Sequence, residues 1–141
     1  MYSVTHMIIG AALGSRAPSV PSAAALGLFS HAVLDMIPHS DYDDVASGLA
    51  DVGAVTASLL AARGAGLDAR TLAGAVAAVL PDIEVGLRYL GLWPFRALFP
   101  THSGQLPHGK TSTGKGILIQ AGMVAGGLLV LALKGRPGAD G

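Results

Sequence analysis

Histidine and aspartate recur in this chain inside apolar stretches, and the pair best placed for chemistry is His31 with Asp35. They lie one helical turn apart, so both side chains leave the same face of a helix. An H-x-x-x-D pair of this kind can hold one divalent ion from a rigid element. His6, Asp82 and His102 are the candidates to complete one or two sites of mixed nitrogen and oxygen ligands. That donor set suits Zn²⁺, with Mn²⁺ and Fe²⁺ as alternatives. Such an ion lowers the pKa of bound water towards about 7 and polarises a phosphoryl or acyl oxygen. Glu84, Asp41 and His108 are the candidates for a general base or for a group that orients the ligands.

The surroundings make these residues informative. His31 and Asp35 close the apolar run that starts near Phe29, Asp82 and Glu84 follow Ala77-Ala78-Val79-Leu80-Pro81, and His6 interrupts a third run. A charge at the centre of a bilayer costs roughly 2.5–3.5 kcal/mol even on the lenient insertion scale. A chain with nine acidic residues has no structural reason to place several there. Blander readings exist for single residues. A helix histidine often serves only as a helix–helix hydrogen bond. Asp82, after Pro81, can also be read as the cap of a broken half-helix. His39 and Asp41 read as loop residues beyond a helix stop, and Asp43 with Asp44 as a solvated charge run. Asp51 would pair with Arg63 or Arg70 if the helices bring them together. Trp93, Phe95 and Phe99 read as an interfacial aromatic belt.

The elements that must position these groups are helices. The chain is 51% hydrophobic and 13% charged, with 20 glycines, and its mean hydropathy is +0.55. A soluble domain of this length needs more charge to cover its surface. With no cysteine, disulfides and thiolate metal sites are excluded. The zero net charge argues against a nucleic-acid partner. The N-terminus lacks the basic segment of a cleavable signal peptide. Apolar segments cover residues 117–133, 22–37 (between Pro21 and Pro38), 69–93 (with Pro81 inside), 46–62 (with Asp51) and, too short for a comfortable span, 4–13. The expected fold is all-α, a polytopic transmembrane bundle of four to five helices. It forms a single integral-membrane domain over residues 1–134, with a disordered tail at 135–141.

If five helices alternate in direction, His6, His31 with Asp35 and His39, Asp82 with Glu84, and His102 with His108 share one side. All five histidines then converge at one membrane face. Arg16, the turn from Arg63 to Arg70 and the Lys134–Arg136 tail fall on the opposite face, which the positive-inside rule makes cytoplasmic. One further motif is set aside. Gly104-Gln105-Leu106-Pro107-His108-Gly109-Lys110-Thr111 matches the nucleotide-binding pattern G-x-x-x-x-G-K-[ST], which acts only between a buried strand and a helix. No room remains here for the parallel sheet. The loop's backbone N–H groups would still suit a substrate phosphate.

Three short motifs resemble a family. Thr5-His6 with Gly10 close behind, Leu80-Pro81-Asp82-Ile83, and Thr101-His102-Ser103 resemble the signatures of YdjM-type inner-membrane metal-dependent hydrolases. That group is similar, in its spread of His and Asp ligands, to zinc-dependent phospholipase C. The likeness runs from Thr5 to about Gln120. It departs from the pattern in placing H-x-x-x-D before the Pro-Asp motif and in carrying Glu84 where a second Asp is usual. The resemblance implies that His6, His31, Asp35, Asp82 and His102 are metal ligands in a protein of the bacterial inner membrane. The expected function is metal-dependent hydrolysis of an ester or phosphoester of a lipid or other amphiphile presented by the bilayer. The alternative is a non-enzymatic membrane protein, a metal or proton permease or a scaffold subunit. The Gly/Ala-rich last helix suits packing against a second copy.

Overall fold

The computed structural model describes residues 1–64 and 66–134. Among them are five helices: α1 (Ser3–Arg16), α2 (Val20–Met36), α3 (Val45–Gly64), α4 (Ala69–Tyr89) and α5 (Thr113–Lys134). The described residues contain no strand beyond one isolated bridge between His39 and Lys110. The tail expected at 135–141 lies outside the described residues. Two helices, α3 and α5, are long and apolar enough to cross a membrane, and α2 is a shorter apolar helix.

Local chemistry sets the helix ends. Ser19 and Ser22 form a capping box at the start of α2, with Pro21 in its first turn. Ile37, extended ahead of Pro38, stops the helix just beyond Asp35. Asp68 caps α4 by accepting from the N–H groups of Arg70 and Thr71. The helix α4 runs through Pro81 to Tyr89, so Asp82 stands within a helix and does not cap a broken half.

Small residues let three helices meet almost backbone to backbone. A Cβ on Gly74 of α4 would lie 2.2 Å from the carbonyl oxygen of Gly10 of α1, and one on Gly27 of α2 would lie 2.2 Å from that of Gly74. Only glycine permits such approach. The candidate ligands stand one or two turns from this crossing, at Gly10 minus four, Gly27 plus four and Gly74 plus eight. His6, His31 and Asp82 are thereby carried to one place.

The two outer helices attach differently. Val55 is the one buried residue of α3 among the described residues. The helix is tied instead by Asp51, which accepts from the Ser3 N–H at 2.7 Å and from the Tyr42 hydroxyl. Burial, with the Asp51 carboxylate beside it, pushes the Tyr42 phenol above its usual range, so it remains a donor. The partner of Asp51 is therefore this pair and not Arg63 or Arg70. On α5, buried Gln120 accepts from the Tyr2 N–H at 2.8 Å and donates to the Ser40 carbonyl at 3.1 Å.

Candidate metal centre

The imidazole of His31, fully buried on α2, is oriented by its Nδ1, which donates to the Ala78 carbonyl at 2.7 Å. A carbonyl can only accept, so in the neutral ring Nε2 presents a lone pair. That Nε2 lies 3.2 Å from Asp35 Oδ2 and 3.4 Å from His102 Nε2. His102 Nε2 is in turn 3.4 Å from Asp35 Oδ2. Three possible ligand atoms thus form a nearly equilateral triangle. A tetrahedral ion with bonds of about 2.0–2.1 Å spaces its donors at about 3.3 Å. The triangle matches that spacing, so these three groups could hold a metal ion.

Two more groups share members with this triangle. His6, His31 and Asp82 bring ligand atoms within 4.8 Å of one another, as do Asp35, His39 and His108. His6 stacks on His31 with ring centroids 3.8 Å apart, and its Nε2 is 3.2 Å from Asp35 Oδ1. Among the described residues, His6 Nδ1 and Nε2, Asp35 Oδ1 and Asp82 Oδ2 are buried without a hydrogen-bond partner. Buried polar atoms without a partner are costly and rare. Their convergence fits a cation, and these His and Asp groups could hold a metal ion.

All five histidines come together here. His39 is buried, its Nδ1 donating to the Ile37 carbonyl at 2.7 Å and its Nε2 standing 3.0 Å from both Asp41 Oδ1 and His108 Nε2. His108 Nε2 is also 3.4 Å from Asp41 Oδ2. Burial alone would raise the Asp41 pKa, but His108 and His39 against it hold the carboxyl well below its usual range. The loop reading of His39 and Asp41 gives way to membership of the cluster. The sequence signal for His39 was its spacing, four residues past Asp35, but α2 ends at Met36 and an extended segment delivers it.

Glu84 is not brought to the cluster. It stands two residues past Asp82, on another face of α4, and accepts from the N–H groups of Leu98 at 2.7 Å and Phe99 at 3.3 Å. It anchors the loop that presents Thr101 and His102. Thr101, noted in the sequence only as the neighbour of His102 in a motif, donates to Asp35 Oδ2 at 2.6 Å. Phe99 meets His31 edge-on at 5.0 Å, a contact within the site where an interfacial aromatic was expected. Trp93 and Phe95 pack on each other. The loop carrying the P-loop-like motif closes the site from above: Gly109 donates to the Asp35 carbonyl at 2.7 Å and Thr111 to that of His39 at 3.0 Å.

A cleft of about 530 Å³ opens from the cluster between α3 and α4, with Asp41, Asp82, His102 and His108 at its inner end. Comparisons with family models, with curated proteins and with solved structures give no match for this chain.

Proposed function

We propose that this protein is a polytopic membrane protein that hydrolyses an ester or phosphoester of a lipid or other amphiphile at one membrane face. The observation that carries the reading is the triangle of His31, Asp35 and His102, with edges of 3.2, 3.4 and 3.4 Å. His31, Asp35 and His102 would hold one divalent ion, with His6 and Asp82 extending the site. His39 and His108 offer a second position through Asp35. The nitrogen and oxygen donors favour Zn²⁺, with Mn²⁺ and Fe²⁺ as alternatives. When bound, such an ion supplies Lewis-acid polarisation of the scissile group and acidifies water.

The chain's own groups do the rest. His108 is partly open to the cleft and takes the proton from the attacking water, with Asp41 3.4 Å from its Nε2 to orient it. The water oxygen bonds to phosphorus or the acyl carbon, the ester bond breaks, and the leaving oxygen takes up a proton. The span-length helices α3 and α5 support insertion in a bilayer. The resemblance of three short motifs to those of YdjM-type hydrolases is the ground for the reaction class. A permease needs a continuous polar path, and beyond the cluster α1, α2 and α4 close on each other at Gly10, Gly27 and Gly74. That closure favours chemistry at one face over transport.

Elemental analysis of the full chain in detergent, beside a His31→Ala/Asp35→Ala double variant, tests the site. Stoichiometric metal in the parent, its loss in the variant, and metal-dependent cleavage of bis(p-nitrophenyl) phosphate are the expected results. A parent that stays free of metal after reconstitution with Zn²⁺ or Mn²⁺ would retract the proposal.

A further inference from the structure

The cleft between α3 and α4 has two ends of opposite character. Its α3 wall is Val45, Leu49 and Val52, spaced four and three residues apart and so on one face. Its α4 wall is Val85, Gly86 and Tyr89, and the same stripe begins one turn earlier at Asp82, a member of the metal-ligating cluster. An apolar passage therefore leads sideways out of the cluster, between two helices. Two cations line the cleft: Lys110 and the Met1 ammonium, which is engaged by Asp41 at 2.7 Å. Of the other acidic groups lining it, Asp44 is taken up by the Ser47 N–H and hydroxyl, Asp41 faces the Met1 ammonium, His39 and His108, and Asp43 stands beside them.

Resting on the hydrolase reading above, we propose that this cleft is the lateral opening through which a membrane lipid presents its phosphoester. One hydrocarbon chain lies between Leu49 and Val52 on one side and Val85, Gly86 and Tyr89 on the other. The anionic phosphoester is met by Lys110 and the cluster. The substrate class is a phosphoester with at least one long alkyl or acyl chain, taken from the leaflet and not from water. Gly86 gives the chain room: a Cβ there would meet nothing within 4 Å, so a larger side chain fills the groove without striking the protein.

The test uses the full chain in phosphatidylethanolamine/phosphatidylglycerol vesicles with hexadecyl phosphate carrying a mid-chain diazirine. Photolysis should place the label on peptides covering residues 45–52 and 82–89. Gly86→Trp should lower that labelling by about tenfold, the scale expected when several buried methylenes lose their place. Gly126→Trp, on α5 where a Cβ also meets nothing within 4 Å, should leave it unchanged. Labelling spread evenly over all five helices, or equal in Gly86→Trp and parent, would overturn the groove. If Gly86→Trp loses its metal along with its label, Leu49→Trp on the opposite wall decides by the same criterion. Metal content of the same samples separates the two proposals. Metal with unblocked labelling removes the groove alone, and groove labelling without metal removes the hydrolase reading alone.

Discussion

The carboxylate of Asp35 meets His6 on one oxygen and His31, His102 and Thr101 on the other. A ligand shared among so many partners depends on whatever fixes its orientation, and the Thr101 hydroxyl at 2.6 Å is that group. Thr101→Val keeps the shape and removes the hydrogen bond. Its Zn²⁺ affinity should fall by about 10–100-fold, measured by competition with a chromophoric chelator. Unchanged affinity would mean that Asp35 is held by its other contacts. Glu84→Ala should behave differently, because Glu84 supports the loop and not the cluster. We expect full metal content but faster amide exchange at Leu98 and Phe99; a variant without metal would return Glu84 to the ligand set.

Helices α1, α2 and α4 position the site through their glycine crossing, so damage there should reach the candidate metal site from a distance. Gly74→Ala puts a methyl 2.2 Å from a backbone oxygen that cannot step aside. Overpacking of this kind costs about 1–3 kcal/mol, seen as a lower thermal midpoint in detergent together with weaker metal binding. Gly86→Ala, in open space on the same helix, should gain about 0.5–1 kcal/mol from reduced backbone freedom. Equal effects at the two positions would refute the close crossing. The other end of α4 depends on Asp68, which caps the helix and receives Lys134 at 2.7 Å. Burial opposes its charge, but Lys134 and Thr71 together outweigh this and lower its pKa. A lowered folded-state pKa stabilises above the unfolded value and is lost as pH falls. Asp68→Ala should therefore cost about 1 kcal/mol at pH 7, with the exposed ion pair adding little. The gap between variant and parent should narrow progressively as the pH falls below about 4; a gap that did not change over that range would point to packing and not charge.

For the molecule as a whole, one cluster draws residues from α1, α2, α4 and the two loops that flank α3 and α5, so metal binding and folding should be coupled. Chelation of a metal-loaded sample should lower the thermal midpoint of the entire protein, by an amount that grows with the chelated fraction. A midpoint indifferent to chelator would leave the histidines purely structural. The amino-acid sequence by itself determined the helices, because apolar runs bounded by prolines and capping residues are local signals, and each of the five predicted segments holds a helix, although α4 stops at Tyr89, short of the expected 93. It also determined that His31 and Asp35 share a face, since helical periodicity fixes neighbours one turn apart. Alternating helix direction was enough to bring the five histidines to one side. What it left open were contacts between elements. His39 enters past the end of α2, Thr101 reaches Asp35 from a loop, Asp51 turns to Ser3 and Tyr42, and Glu84 anchors backbone. Which residues meet across helices depends on crossing distance and rotation, and those are set by the backbone contacts of Gly10, Gly27 and Gly74, which only the tertiary structure decides.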